Sequence, residues 1–352
     1  MHIKIQVIII LSILFSLLLN GCIDNFEEPN NSISNDYNFY VDDDFSSETN
    51  GYGITHFKTI KASINNSSTE SKIFVHSGVY YESLIINHKL ILSGENANTT
   101  IIDGIKNKED IITIDTEEGT IISNFTFQNN RGENKYYADA AIDLRSNNNI
   151  IKNNIFKNNI CGVYARYSDK NNIMKNKFLN NSEYGIYFHT SSNDNTVSDN
   201  YFLKNNYALR IKGNRNCRVN NNAFVNNLHG IYLCCGANYN FVYENLFCNN
   251  TEWDAEDHYD NIWDTASIPK AWFHNTNLNI EYDQDENVTK GNYWDKFYLP
   301  SQGAFDNNSD NIIDTAYDIP KGYTNDYYPL ANPPVISNPF FKKEKLSKDC
   351  LK

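Results

Sequence analysis

The apolar residues of this chain follow a repeat that is longer than the period of any single helix or strand. In each unit an isoleucine or valine lies five residues before a phenylalanine, and successive phenylalanines are 29, 22, 24, 22 and 23 residues apart. The six pairs are Ile122/Phe127, Ile151/Phe156, Ile173/Phe178, Val197/Phe202, Val219/Phe224 and Val242/Phe247. A fixed period of this length predicts a solenoid, in which each unit stacks on its neighbours to bury one continuous core.

Polar positions repeat in the same frame. An asparagine pair, such as Asn158-Asn159, follows nearly every phenylalanine. A small residue and then an apolar residue come next, as in Gly162-Val163. Each unit holds three short apolar pieces and lacks the spacing of a leucine-rich repeat, which indicates three short strands joined by tight turns. Asparagine suits such turns because it tolerates left-handed backbone. We therefore predict an all-β parallel β-helix over residues 73–290, of about nine coils, with phenylalanines inside and asparagine ladders at the corners.

The flanks of the repeats are interpreted as caps. A solenoid needs its open apolar end covered, and residues 39–72 contain a short amphipathic helix pattern with one apolar face, formed by Ile54, Phe57, Ile60 and Ile64. Residues 291–331 are predicted to form a C-terminal cap. Residues 332–352, which are Pro-rich and then basic, are predicted to be a disordered tail.

The first 21 residues have the pattern of a secretion signal. Lys4 precedes an apolar run over residues 7–19, and Leu19-Asn20-Gly21-Cys22 has the form of a lipobox whose cysteine is acylated. An uncleaved membrane anchor is the alternative, although the run is short for a transmembrane helix. We therefore expect a signal peptide over 1–21, a lipidated Cys22 with a tether to residue 38, and a folded part held at the cell surface.

Composition bears on the partners of the protein. Asp and Glu number 43 against 30 Lys and Arg, which is a formal net charge of −13. An acidic surface repels a phosphate backbone, so we expect no nucleic-acid partner. The partners that remain are a polysaccharide or surface glycan and the membrane that holds the lipid anchor, and we expect the chain to be a monomer.

Several stretches outside the repeats carry a family resemblance. They are "YVDDD" (40–44), "VHSGVYYESLII" (75–86), "TTIIDG" (99–104), "GNYWDKF" (291–297) and "DTAYDIPKGYTNDYYPL" (314–330). Together with the repeats, they make residues 39–330 similar to the exported right-handed parallel β-helix proteins of the NosD type, whose repeats are associated with carbohydrate-binding and sugar-hydrolysis domains. The resemblance implies the handedness of the fold and export. Activities among such proteins range from none known to copper delivery and polysaccharide processing, so the function has to be argued from a site.

Copper delivery can be tested against ligand chemistry. Thioether and thiolate ligands select Cu(I), but Met174 is the only methionine after Met1. Besides Cys22 the cysteines are Cys161, Cys217, Cys234, Cys235, Cys248 and Cys350, without a C-x-x-C pair. Because Cys217, Cys234 and Cys248 fall in adjacent coils, we expect a disulfide or buried thiols among these three, and no copper site. Vicinal Cys234-Cys235 stands apart, because adjacent thiols can bind soft metals.

One strand of each coil follows the Gly or Ala, and alternation along it sends residues inward and outward by turns. The residues predicted to point inward are Ile142/Leu144, Val163/Ala165, Ile186/Phe188, Leu209/Ile211 and Ile231/Leu233. The outward ones include Tyr164, Tyr187, Arg210, Lys212 and Tyr232. An aromatic column beside a cationic one suits acidic polysaccharide, because sugar rings stack on tyrosine and carboxylates pair with Arg or Lys. Ordinary cross-strand pairing of the same side chains is the alternative.

A catalytic role needs a proton-transfer group on the same face. Asp143, Arg145, Arg166 and His189 form the one cluster that could act as base, acid and clamp, and the sequence shows no second acid beside them. Glycoside hydrolysis requires two carboxyl groups. The sequence therefore favours a carbohydrate-binding module, and a polysaccharide lyase, epimerase or hydrolase on this face is the alternative.

The segment "DNNSDNIID" has the spacing of a calcium loop. Oxygen ligands fall at positions 1, 3, 5, 7 and 9, the seventh through a backbone carbonyl: Asp306, Asn308, Asp310, Ile312 and Asp314. Asn311 replaces the usual glycine, and Tyr317 stands where a bidentate Glu is expected. We expect weak Ca²⁺ binding here, and an Asp/Asn-rich capping loop without an ion is the alternative.

Overall fold

The protein is a parallel β-helix, as the repeats predict. The computed structural model describes residues 37–106, 109–132, 139–266 and 290–342. Three parallel sheets of ten, nine and eight strands run along it, and each coil contributes one strand to each sheet. The eight strands of the third sheet indicate about eight coils within the described residues, where about nine were expected.

The strands are short and are numbered in chain order. The first sheet contains β1 (Phe39–Val41), β2 (His56–Phe57), β3 (Ser71–Val75), β6 (Leu90–Gly94), β9 (Ile121–Ser123), β12 (Ile150–Lys152), β15 (Asn172–Met174), β18 (Thr196–Ser198), β21 (Arg218–Asn220) and β24 (Phe241–Tyr243). The second contains β4 (Gly78–Tyr80), β7 (Thr100–Asp103), β10 (Thr126–Gln128), β13 (Ile155–Lys157), β16 (Lys177–Leu179), β19 (Tyr201–Leu203), β22 (Ala223–Val225), β25 (Leu246–Cys248) and β27 (Tyr293–Trp294). The third contains β5 (Leu84–Ile86), β8 (Ile112–Ile114), β11 (Ala140–Leu144), β14 (Cys161–Ala165), β17 (Tyr184–Phe188), β20 (Tyr207–Lys212), β23 (His229–Cys234) and β26 (Trp253–Asp257).

A column of stacked phenyl rings forms the centre of the core. The six predicted phenylalanines are fully buried. Their ring centroids follow one another at 5.3, 4.8, 4.8, 4.8 and 5.0 Å, with interplanar angles of 18° or less. Trp294 continues the column, stacked 4.4 Å from Phe247, which the sequence did not predict. The five-residue offset therefore predicted the inward register correctly.

The two asparagines of each pair have different roles. The first stands in the left-handed region, with φ of 57° at Asn158 and 55° at Asn180. The second is buried, and its side chain bonds the coil on either side: Asn181 Oδ1 accepts from the Asn159 backbone N–H at 3.1 Å, and Asn181 Nδ2 donates to Asn205 Oδ1 at 2.8 Å. The predicted ladders are thus present, and they satisfy backbone groups that would otherwise be buried without partners.

The N-terminal cap is smaller than the sequence indicated. Helix α1 spans Ile60–Asn66, with Thr59 accepting a hydrogen bond from Ala62 N and with Ile64 buried. Ile54 is 73% exposed, and Phe57 belongs to strand β2. The apolar spacing of these two residues with the helix was coincidental, because the chain extends the first sheet before it turns into α1.

The C-terminal segment packs against the coils. Short helical turns at Gly104–Lys106 and Pro300–Gln302 and the antiparallel pair β28 (Tyr317–Asp318) and β29 (Asn325–Asp326) complete the described elements. Residues 332–342 were predicted to be disordered, but they pack on the outside of the β-helix. Asn338 Nδ2 donates to the carbonyls of Asn176 and Asp199, and Phe341 contacts Tyr201. Burial of Ile336 and Phe341 with the second sheet accounts for this order. The rest of that tail lies outside the described residues.

Candidate functional site

The outer face of the third sheet carries the predicted ligand-binding residues. Strand pairing aligns one outward residue from each coil in a single column, in the order Asp143, Tyr164, Tyr187, Arg210, Tyr232 and Glu256. We call this set the outer column. The neighbouring inward positions, such as Ile186 and Leu209, are fully buried, as predicted. The alternation of the strands therefore places these chemical groups outside the core.

Two of the predicted tyrosines are not open to a ligand. Tyr164 is 2% exposed and Tyr187 is 8% exposed, and both belong to a small apolar cluster with Ala140 and Cys161 on the outer face. The rings of Tyr164 and Tyr187 meet edge to face at 5.5 Å. An outward direction did not ensure exposure, so Tyr164 cannot offer a face to a sugar ring in this arrangement.

A partly exposed aromatic surface lies three residues earlier in each of these strands, and the sequence analysis did not predict it. Strand pairing aligns the residues Tyr184, Tyr207, His229 and Trp253. We call this set the aromatic ladder. All four side chains are partly exposed, and the ring centroids are 5.5, 4.3 and 4.5 Å apart in order. The available signal was the aromatic residue immediately before the small residue in three of these coils.

Arg210 lies between the outer column and the aromatic ladder. Its Nη1 donates to the hydroxyl of Tyr184 at 2.8 Å, and its guanidinium carbon is 4.9 Å from the ring centroid of Tyr187 and 5.4 Å from that of Tyr232. Within the described residues it makes no ion pair with a carboxylate, and its Nε is buried without a hydrogen-bond partner. Tyrosine faces therefore hold the cation in place and leave its charge uncompensated.

Lys212 and His189 lie beside Arg210. Lys212 Nζ is 3.2 Å from His189 Nε2. Burial lowers the pKa of His189, and the charges of Lys212, Arg210 and Arg166 lower it further. Its surroundings therefore favour the neutral imidazole, and the ring contacts Tyr164 and Tyr187.

The predicted catalytic cluster contains a second acid after all. Arg145 Nε is 2.7 Å from Asp143 Oδ2, and Arg145 Nη2 is 3.7 Å from Asp110 Oδ2. Burial raises the pKa of Asp110 to about 7 and also raises that of Asp143, while Arg145 opposes both shifts. Arg166 acts on Asp143 through its charge. The expectation that no second acid joins this face was wrong, because β8 brings Asp110 beside β11.

The opposite end of the outer column is also charged. Glu256 accepts from His258 Nε2 at 2.6 Å and from Lys321 Nζ at 2.8 Å. The acid-rich stretch 251–264 contains strand β26, and Asp257 at the end of that strand accepts a hydrogen bond from Trp263 Nε1 at 3.0 Å. Asp257 thereby ties β26 to the end of the core.

Comparison with protein families identifies the chain. Residues 64–298 match the family model described as "Periplasmic copper-binding protein (NosD)". The protein belongs to the NosD family. A comparison with curated proteins gives no match.

Three solved structures resemble this NosD-family chain at low sequence identity. The "Geobacillus virus E2 - ORF18" structure has a TM-score of 0.36 at 13% identity, and the match covers 61% of this chain and 58% of that one. A pectin methylesterase in complex with a hexasaccharide has a TM-score of 0.30 at 13% identity, covering 65% and 82%. Pectin methylesterase PemA from Erwinia chrysanthemi has a TM-score of 0.29 at 16% identity, covering 66% and 73%. We draw no functional conclusion from matches this distant.

The family description raises the question of copper. Within the described residues, the only group of three or more His, Cys, Asp or Glu side chains close enough to share an ion is Asp42, Asp43 and Asp44. These are hard oxygen donors, whereas Cu(I) prefers sulfur. Cys161 and Cys217 are free, fully buried thiols. Cys234 and Cys235 place two further thiols 3.2 Å apart, but no third His, Cys, Asp or Glu ligand joins them among the described residues, so the donors that the structure describes do not form a copper site.

The remaining cysteines are in two states. Cys248 is disulfide-bonded, and its partner is none of Cys161, Cys217, Cys234 and Cys235, which are free. Burial raises the pKa of the Cys217 thiol to about 12. Of the disulfide or buried thiols expected among Cys217, Cys234 and Cys248, the structure shows buried thiols at Cys217 and Cys234, and the disulfide of Cys248 joins neither of them.

The predicted calcium loop is folded by its own side chains. Asp306 Oδ1 accepts from Asp310 N at 3.2 Å, and Asp310 Oδ1 accepts from Ile312 N at 2.9 Å. Asp314 Oδ2 accepts from the backbone and side chain of Asn307, each at 2.8 Å. Asn311 has a φ of 73°, the left-handed value that position requires. Asn308 Nδ2 donates to Asp310 Oδ2 at 3.0 Å. The calcium site stays a prediction.

The export signal lies outside the described residues. The predicted signal peptide, Cys22 and most of the tether fall within residues 1–36. In the part of the chain that the structure describes, no helix is both long and apolar enough to cross a membrane.

Proposed function

We propose that the protein is an exported β-helix that binds acidic polysaccharide on the outer face of the third sheet. The observation that carries the proposal is the half-buried Arg210 guanidinium, which faces three tyrosines and has no carboxylate partner within the described residues. Guanidinium groups bind carboxylates through paired hydrogen bonds, and an uncompensated one is ready to do so.

The aromatic ladder supplies the second half of such a site. Its four partly exposed rings follow one another along the axis of the β-helix, one ring per coil, beside the column that contains Arg210. Sugar rings present apolar faces that stack on aromatic side chains, and this contribution does not depend on the charge of the sugar. The ladder would therefore hold the chain of sugars, and Arg210 would select those that carry a carboxylate.

The net charge of the protein sharpens this selectivity. A formal net charge of −13 repels polyanions from most of the protein surface. An acidic glycan therefore gains binding free energy only where a local positive charge outweighs this repulsion. Exposed charge pairs are screened by salt. Binding of an acidic oligosaccharide should weaken as salt rises, while binding of a neutral one should not.

The test compares arginines on two faces. Arg210→Ala should lower the affinity for a uronic-acid oligosaccharide about tenfold, since a charge-assisted hydrogen bond contributes roughly 1.5 kcal/mol or more. It should leave a neutral oligosaccharide nearly unaffected. Arg218→Ala, on the first sheet, makes the same change in net charge and should alter neither affinity. Trp253→Ala should weaken both ligands. Equal effects of the two arginine variants, or no glycan binding by the unaltered protein, would overturn the proposal.

A second candidate is catalysis on the same glycan. The observation that favours it is the pairing of Asp110 and Asp143 around Arg145, where burial raises the pKa of Asp110 to about 7 and also raises that of Asp143. Such a pair is able to give and take a proton. Release of reducing or unsaturated ends that stops in Asp143→Asn would establish an enzyme. Binding without turnover would establish a recognition module.

Family membership supports the location. The family is described as periplasmic, and the predicted signal peptide and lipobox cysteine agree with a position outside the cytoplasm. Anchoring through Cys22 remains part of the proposal. It is tested by labelling cells with a radioactive fatty acid, which should mark the natural protein and not a Cys22→Ser variant.

A further inference from the structure

Two adjacent cysteines stand where strand β23 ends. Cys234 is the last residue of the strand and is 2% exposed, and Cys235 follows it and is exposed. Their sulfur atoms are 3.2 Å apart. Cys235 adopts a φ of 60° and Gly236 a φ of 91°, so the chain turns sharply and keeps the two side chains together. The fold thus presents one accessible thiol with a second, sheltered thiol in contact with it.

The same protein contains an oxidised cysteine. Cys248 is disulfide-bonded, while Cys234 and Cys235 are free. Disulfides form and persist in oxidising compartments. An exposed thiol there meets other disulfides, and its reaction depends on access and on the presence of a second thiol that can complete the exchange.

We infer that Cys234 and Cys235 form a thiol–disulfide exchange site whose substrates are small-molecule disulfides. Cys235 is the attacking thiol because it is exposed. Cys234 is the resolving thiol because its sulfur is already in contact with that of Cys235. The inference does not depend on glycan binding.

The exchange balances in two steps. The Cys235 thiolate attacks one sulfur of the small disulfide, whose S–S bond breaks; a mixed disulfide forms on Cys235, and one thiolate leaves and takes up the proton that Cys235 lost. The Cys234 thiolate then attacks Cys235 Sγ, which releases the second small thiol and closes a Cys234–Cys235 disulfide. Two protein thiols are oxidised, and one small disulfide is reduced to two thiols.

The surroundings of Cys234 suit the resolving role. Burial raises the pKa of its thiol, and the guanidinium of Arg210, whose Nη2 is 3.7 Å from Cys234 Sγ, opposes that shift. The thiol is therefore sheltered from external disulfides but has a cation beside it when its thiolate forms. Cys161 and Cys217 are fully buried without such a cation described beside them, and they should not react in the folded protein.

The closed pair should reopen easily. Residues joined by a trans peptide have Cα atoms about 3.8 Å apart, less than the roughly 4.4–6.8 Å that most disulfides span. A bond formed across that distance is strained, and strained disulfides have more oxidising potentials. The Cys234–Cys235 bond should therefore be reduced well before the disulfide of Cys248.

The test uses the whole protein, glutathione disulfide, alkylation of the remaining thiols, and mass spectrometry of the peptide that contains both cysteines. The natural protein should lose the mass of two hydrogen atoms in that peptide and become resistant to alkylation there. Cys234→Ser should accumulate a glutathione adduct on Cys235. Cys235→Ser should keep an unmodified Cys234. Retention of the Cys248 disulfide and protection of Cys161 in each variant show that the fold is intact.

Three results would overturn the inference. They are a natural protein that keeps both thiols alkylatable, a Cys234→Ser variant without the adduct, and a Cys235→Ser variant that forms an adduct on Cys234 equally fast. In a titration with dithiol reductant, the closed pair should open at a lower concentration than the Cys248 disulfide. Simultaneous reduction of the two bonds would refute the strain argument.

Discussion

Substitution of Asn181 should destabilise the protein much more than substitution of its neighbour Asn180. Asn181 Oδ1 accepts from the Asn159 N–H at 3.1 Å, and its Nδ2 donates to the Phe156 carbonyl at 3.2 Å and to Asn205 Oδ1 at 2.8 Å. In Asn181→Ala the buried Asn159 N–H loses its acceptor, which costs roughly 1–3 kcal/mol, and the carbonyl loses one bond worth about 1 kcal/mol. We expect the free energy of unfolding to fall by about 3 kcal/mol.

Asn180 provides the matched control. Its φ is 55°, and its side chain makes one exposed hydrogen bond to Asn158 Oδ1 at 2.9 Å. Asn180→Gly should change the free energy of unfolding by less than about 0.5 kcal/mol, because glycine adopts this conformation without strain. Asn180→Ala should cost about 1 kcal/mol, since a Cβ disfavours the left-handed region.

The measurement is urea unfolding of the three variants and the natural protein, followed by far-UV circular dichroism and by tryptophan fluorescence. If the two probes give coincident unfolding transitions, and if the dependence of the free energy of unfolding on urea concentration is the same in all variants, their stabilities can be compared directly. Equal midpoints for Asn181→Ala and Asn180→Gly would refute the division of each asparagine pair into a turn residue and a ladder residue.

Two further outcomes are expected. If the loop 306–314 binds calcium, a chelator should lower the melting temperature of the natural protein and of Asn308→Asp, which keeps an oxygen ligand. The chelator should not change the melting temperature of Asp310→Ala. The same response in all three proteins would contradict the calcium site. Burial raises the pKa of Asp110 to about 7, above the value of about 3.9 expected in the unfolded chain. Between these values the folded state holds a proton that the unfolded state releases, so the free energy of unfolding should fall as pH rises from about 4 to about 7. Asp110→Asn should flatten that slope, and a slope that stays the same would show that another group is responsible.

The sequence by itself determined the coil and its register. Equivalent positions of stacked coils share one environment, so the recurrence of each Ile or Val and its Phe at a fixed offset predicted which side chains are buried. Left-handed turns depend on local backbone preference, and asparagine marked them correctly at Asn158 and Asn180. These features are local and repeat, which is why a single chain was enough to predict them.

Tertiary structure decided which outward residues are accessible and which acids meet. Tyr164 and Tyr187 point out of the coil as predicted, yet packing among neighbouring coils buries both, and the partly exposed rings of this face are those of the aromatic ladder and Tyr232. Asp110 lies near Asp143 because of how strands pair in a coil that is longer than the others. The regular spacing of the repeats therefore did not predict this proximity. Trp294 joins the phenyl column, and residues 332–342 pack on the coils, through contacts between segments far apart in the chain. Periodicity specifies one coil and its inward face, whereas exposure on the outer face depends on everything that packs against it.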